Sequence, residues 1–134
     1  MDRTVGATFA VVAPPGREGP AEQVDGLDVV VLEHDGSTLL RVVGEIDSYT
    51  APLLRRRLVE QVDRRAVEVV VDLAETTLID STGLGVLVAA AARLREAGGR
   101  LVVLCPSPFL REVFALSGVD QLLDIVTSDG PAGG

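Results

Sequence analysis

A chain of 134 residues is expected to fold as one domain around one core, leaving no room for a second catalytic domain. Its formal charge is -8, and all twelve basic residues are Arg, so phosphate backbones and anionic lipid surfaces would repel it; neither nucleic acid nor membrane is an expected partner. No apolar run reaches the roughly eighteen residues a membrane helix needs.

Residues 1–26 contain Pro14-Pro15-Gly16, Gly19-Pro20 and scattered charge, too little apolar content to order independently. A flexible N-terminal tail is expected there, with a short strand near residues 8–12 left open. Residues 28–34 and 37–43 are β-rich apolar runs separated by His34-Asp35-Gly36, a hairpin turn of the Asp-Gly type. His34, the only His, therefore sits solvated in a turn.

Thr50 or Ser48 then caps a helix with Pro52 in its first turn. Leu54, Leu58 and Val62 are predicted to face the sheet, with Arg55, Arg56, Glu60 and Arg64 on the other faces. Arg55-Arg56-Arg57 reads as a solvated surface, Arg56 and Glu60 standing at i,i+4, that remains available to an acidic partner. Residues 67–72 form a short unbroken apolar strand suited to the middle of a sheet. After an exit loop a second helix opens at Asp80-Ser81, carries Leu84, Leu87, Val88 and Ala91 on one face, and stops at Gly98-Gly99.

Residues 101–105 are a second buried strand ending at Cys105, which reads as a small buried hydrophobe. As the only cysteine it forms no internal disulfide and fits a reducing cytosol, so a cytoplasmic location is expected. Ser107-Pro108 opens a helix bearing Leu110, Val113 and Phe114 and stopped by Gly118. Residues 125–127 add an edge strand, and residues 129–134 are a Gly-Pro tail. This order is α/β: an N-terminal hairpin followed by strand-helix repeats, giving a mixed β-sheet covered by helices over residues 27–128. Aromatics are few (Phe9, Tyr49, Phe109, Phe114), which suits an aliphatic scaffold better than an aromatic-lined ligand pocket.

The chemistry concentrates where Ile79 gives way to Asp80-Ser81-Thr82-Gly83. A helix start gathers unpaired N–H groups and partial positive charge, so a phosphate is well held there, and Ser81 is a candidate for reversible phosphorylation. Asp and Ser at such a point are equally the preferred caps of an ordinary helix. Intrinsic catalysis is not expected, because a nucleophilic Ser needs a positioned base and the one His lies in the distant hairpin turn. No His/Cys cluster or calcium-loop spacing supports a metal, and Gly83-Leu84-Gly85 lacks the Lys and third Gly of a phosphate-cradling loop, so no cofactor is expected.

Two segments taken together, Gly44-Glu45-Ile46-Asp47-Ser48-Tyr49-Thr50-Ala51-Pro52 and Ile79-Asp80-Ser81-Thr82-Gly83-Leu84-Gly85-Val86, are followed by Gly98-Gly99 and Phe114-Ala115-Leu116-Ser117-Gly118-Val119. In this order and spacing, over residues 27–126, the chain resembles the bacterial anti-sigma factor antagonists, single-domain members of the STAS family. The resemblance implies a STAS-type mixed sheet, Ser81 as the residue phosphorylated by a partner anti-sigma factor that is an ATP-dependent serine kinase, and a serine phosphatase that resets it. It also implies that the unphosphorylated form binds the anti-sigma factor and frees a sigma factor. Glu45, Asp47, Ser48 and Tyr49, with Asp80, Thr82 and Gly83, are then the expected partner-binding and kinase-recognition residues. A monomer is the expected state. Within the same fold, a non-catalytic scaffold or a soluble transporter-associated subunit stays open as the alternative.

Overall fold

The computed structural model describes residues 18–127. Strands β1 (Glu18–Val24), β2 (Leu27–His34) and β3 (Ser37–Ile46) form an antiparallel meander. The β2–β3 turn is of the predicted kind: Asp35 and Gly36 both take positive φ, 52° and 82°, as a two-residue hairpin turn matched to strand twist requires. Helix α1 (Ala51–Asp63), strands β4 (Glu68–Asp72) and β5 (Thr76–Ile79), helix α2 (Ser81–Glu96), strand β6 (Arg100–Leu104), helix α3 (Pro108–Ser117), a 3₁₀ turn (Val119–Gln121) and strand β7 (Asp124–Val126) follow.

The sheet runs β1-β2-β3-β4-β6-β7, with β4, β6 and β7 parallel to β3, so it is mixed as expected. β3 is twice the length of β4 and is shared between two partners: Ser37–Arg41 pairs with β4, while its far end, Gly44 to Ile46, pairs with β5. The changeover falls at Gly44, whose φ is +120° and whose Cβ would lie 2.1 Å from the Gly26 carbonyl oxygen. Only glycine fits that close approach.

All three helices contribute to one aliphatic core on one side of the sheet. Leu40, Val42, Val69, Val71 and Val103 meet Leu54 and Leu58 of α1, Leu87 and Leu94 of α2, and Leu110 and Phe114 of α3. Each fully buried side chain of this kind contributes about 1.5–3 kcal/mol. A second cluster, Leu32, Leu39, Val70, Val102, Leu104 and Val126, lies on the opposite face, flanked by the Arg41–Asp72 pair at 3.7 Å and the Arg100–Glu68 pair at 3.6 Å. Burial on both faces is why β4 and β6 read as unbroken apolar runs.

Three expectations need correction. The expected tail, residues 1–26, includes β1: Glu18–Val24 pairs along β2, with an irregular register between Glu18 and Ala21. An edge strand needs little apolar content, because backbone pairing supplies its hydrogen bonds, and Gly19-Pro20 falls within that irregularity, where a missing N–H is tolerated. The strand near residues 8–12 and the tail at 129–134 lie outside the described residues. Residues 76–79, read as an exit loop, form β5. Arg57, grouped with a solvated surface, is only 8% exposed and pairs with Glu60, because position 57 shares the buried stripe with Leu54 and Gln61.

Candidate functional site

Three chain segments meet at the C-terminal end of β3: the loop from Asp47 to Thr50, the end of β5, and the start of α2. Each is held by backbone geometry. In the loop, the Asp47 carboxylate Oδ1 accepts from the Tyr49 N–H at 2.9 Å and the Thr50 N–H at 3.0 Å. Thr50 reciprocates, its hydroxyl oxygen accepting from the Asp47 N–H at 2.8 Å and donating to the Glu45 carbonyl at 2.7 Å. Thr50 stands at the N-cap position of α1, but its side chain is committed to this loop and makes no cap bond, nor does Ser48 cap the helix. The Thr50 N–H, aided by the Tyr49 N–H, holds the Asp47 carboxyl below its ordinary range against a smaller opposing effect of desolvation.

This arrangement divides the residues. Asp47 is half-buried and staples the loop; Glu45, Ser48 and Tyr49 are exposed around it, with Tyr49 at 67%. The ring is held open to solvent by a loop that these four hydrogen bonds tie together.

β5 delivers the second segment. It pairs with the end of β3 through Ile46 and Ile79, and the Asp80 N–H then donates to the Ile46 carbonyl at 3.0 Å, one residue before the loop begins. Asp80 adopts extended backbone, and its Oδ1 accepts from the Gly83 N–H at 3.1 Å, so the capping half of the Asp-Ser reading holds at Asp80. Ser81 and Thr82, the first helical residues, are both exposed. Gly83 is buried: a Cβ there would lie 2.5 Å from Ile46 Cγ2 and 2.8 Å from Ile79 Cγ1. The missing side chain lets the helix start rest directly on the two strand ends, which fixes where the Ser81 hydroxyl stands.

The structure thus brings Asp80, Ser81, Thr82 and Gly83 beside the Glu45–Tyr49 loop. It separates His34 from them by the ten-residue length of β3, about 30 Å of extended chain. The His34 Nε2 instead lies 3.2 Å from Asp35 within its own turn. Burial pushes the Cys105 thiol upward in pKa, the opposite of an activated nucleophile. Among the described residues no group of three His, Cys, Asp or Glu side chains is placed to hold a metal. Sequence reasoning missed the positioning role of β5, although Thr76-Thr77-Leu78-Ile79 is rich in the β-branched residues that favour strands.

Comparison with known proteins bears on this geometry. A family model described as STAS domain matches residues 28–130. The anti-sigma-B factor antagonist of Listeria monocytogenes is 36% identical over 93 residues, 69% of this chain and 82% of that protein. The anti-sigma-B factor antagonist of Bacillus subtilis is 32% identical over 99 residues, 74% of this chain and 90% of that protein. Among solved structures, an anti-sigma factor antagonist from Mycobacterium paratuberculosis superposes with a TM-score of 0.71 at 29% identity, over 80% of this chain and 91% of that one.

Proposed function

The chain belongs to the STAS domain family, and from that premise we propose that it is an anti-sigma factor antagonist switched by phosphorylation of Ser81. The observation that carries this reading is the exposed Ser81 at the N-terminus of α2, capped by Asp80 and stitched through the Asp80–Ile46 hydrogen bond to the Asp47–Thr50 loop. In its unphosphorylated form the chain binds an anti-sigma factor and releases a sigma factor. The anti-sigma factor is also a serine kinase: the Ser81 Oγ attacks the γ-phosphorus of ATP, ADP departs, and the hydroxyl proton is lost. A serine phosphatase returns the hydroxyl by hydrolysis.

Each residue has a part. Asp80 holds the helix start and keeps the Ser81 hydroxyl at the surface, Thr82 borders it, and Gly83 sets its height. Glu45, Ser48 and Tyr49 form the neighbouring contact surface, which Asp47 keeps rigid. A phosphate adds about -1.5 to -2 charges to a chain already at -8. The helix terminus stabilises it locally, whereas at a docked interface it is repelled and must be desolvated, so binding is lost without unfolding.

The test uses wild-type chain, Ser81→Ala and Ser81→Asp as baits in native cytosol, with mass spectrometry of retained proteins and of the bait's own phosphopeptides. The expected result is retention of a kinase-type anti-sigma factor by wild type, its loss with Ser81→Asp, and phosphate at Ser81 after incubation with ATP. Equal retention of scaffold or transporter subunits by all three baits would replace the switch with the scaffold reading.

A further inference from the structure

The proposed phosphoacceptor stands at one end of a stripe along α2 that its own chemistry does not explain. Ser81, Gly85, Ala89 and Arg93 recur at i,i+4 spacing, so they follow one face of the helix for about 18 Å, and all four are exposed. Gly85 is anomalous there. It lies inside a helix, where glycine is disfavoured, and a Cβ at that position would meet nothing within 4 Å, so no packing inside the protein requires its absence.

Beside this stripe α1 and α2 enclose a shallow groove. Its floor is Leu58, Val59, Val62, Val86 and Ala89, and Arg55 and Arg93 stand among its lining residues. At about 40 Å³ it is too small for a metabolite, whose pockets run to about 300–1,000 Å³. Among the described residues neither Arg55 nor Arg93 has an ion-pair partner. The chain carries a net charge of -8, so these two guanidinium groups beside an apolar strip make a local basic patch on an acidic molecule, and the complement of that patch is an acidic amphipathic helix.

We propose that the α1–α2 face, from Ser81 past Gly85 to Arg55 and Arg93, docks an acidic amphipathic helix of the partner protein. The helix lays its apolar stripe over Val59 and Val86, its backbone approaches closely at Gly85, and its carboxylates meet the two guanidinium groups. The identification of that partner as the anti-sigma factor kinase rests on the function proposed above; the chemistry of the surface does not.

The experiment has two arms. In the first, a synthetic amphipathic helix with a Leu stripe flanked by Glu, and its counterpart with Lys in place of Glu, are titrated into isotope-labelled full-length chain and followed by NMR. The Glu peptide is expected to shift the amides of Gly85, Ala89 and Val59, to bind more weakly as salt rises, and to lose at least about tenfold in affinity on Arg55→Glu/Arg93→Glu. No shift on this face, or equal shifts with the Lys peptide, overturns the proposal. In the second arm the purified kinase retained by the wild-type chain is measured against Arg55→Glu/Arg93→Glu and Gly85→Leu, with circular dichroism confirming that both variants fold. Weakened binding by both supports the docking face, whereas undiminished binding overturns it and leaves the Ser81 switch standing. Failure of any kinase to bind wild type, with the Glu peptide still docking, supports the surface chemistry and sinks the functional reading instead. Self-association of the chain that Arg55→Glu/Arg93→Glu abolishes would overturn the assignment by making a second copy the occupant.

Discussion

At the scale of single residues, the Ser81 site is built by two side chains that do no chemistry and one that is missing. Asp47 closes the loop as an ionised acceptor, so its carboxyl titrates below the ordinary value of 3.8. A carboxyl whose folded pKa is depressed adds stability above its unfolded pKa and loses it as pH falls through the folded value. The stability gap between wild type and Asp47→Asn is therefore expected to be widest near neutral pH and to close below about pH 4, as read by urea denaturation across a pH series. An unchanging gap would show that the carboxylate's charge is irrelevant to the loop. Gly83 works by absence: its close approach to Ile46 and Ile79 means that Ala must push both aside. Overpacking of this kind costs about 1–3 kcal/mol, more than the gain of up to about 1 kcal/mol from removing a helical glycine, so Gly83→Ala should lower the denaturation midpoint. The motif itself was legible residue by residue, since Asp and Ser at a helix start and glycine just after it are local choices. That Asp47 holds the loop while Tyr49 faces solvent was not legible, because both are equally polar-compatible positions in the chain.

At the scale of elements, β5 is the piece that turns a motif into a site. Four residues pairing with the end of β3 place Asp80 one hydrogen bond from Ile46, and α2 inherits its direction from there. Gly85 offers the matching control to Gly83, two residues away in the same helix. With open space around it, Gly85→Ala should raise stability by up to about 1 kcal/mol, a gain of a few degrees in the thermal midpoint by calorimetry. Opposite signs at the two glycines would separate a packing requirement from a surface one, and a loss at Gly85 would mean that the helix face is not open. The helices and the central strands were readable from their 3.6-residue and unbroken apolar patterns. β1 and β5 were not, because a short strand held by backbone pairing leaves little trace in side-chain hydrophobicity.

At the scale of the whole molecule, the parallel strands aim their C-terminal ends one way, so the loop after β3, the start of α2 and the start of α3 share one end of the sheet while His34 sits at the other. The helices rest on a core that extends away from Ser81, and a charge added at that surface need not be felt inside. Ser81→Asp is expected to leave unfolding free energy within about 0.5 kcal/mol of wild type, a helix N-terminus being favourable to negative charge. In the proposed switch the same variant weakens the anti-sigma factor complex at least tenfold, about 1.4 kcal/mol, by calorimetric titration. A matching fall in stability and binding would instead mean that Ser81 is structural.

The amino-acid sequence by itself determined the three helices and the central strands, the aliphatic core, the hairpin turn at Asp35-Gly36 and the identity of the hydroxyl that stands at a helix start. These follow from local backbone preference and from periodicity, which are properties of neighbouring residues. Only the tertiary structure decided that β3 is shared between β4 and β5, that Gly83 rests on Ile46 and Ile79, and that Arg57 is buried while Arg55 and Arg93, without an ion-pair partner among the described residues, stand beside an apolar groove. Those are contacts between residues far apart in the chain, and steric fit and burial at such contacts exist only once the elements have packed.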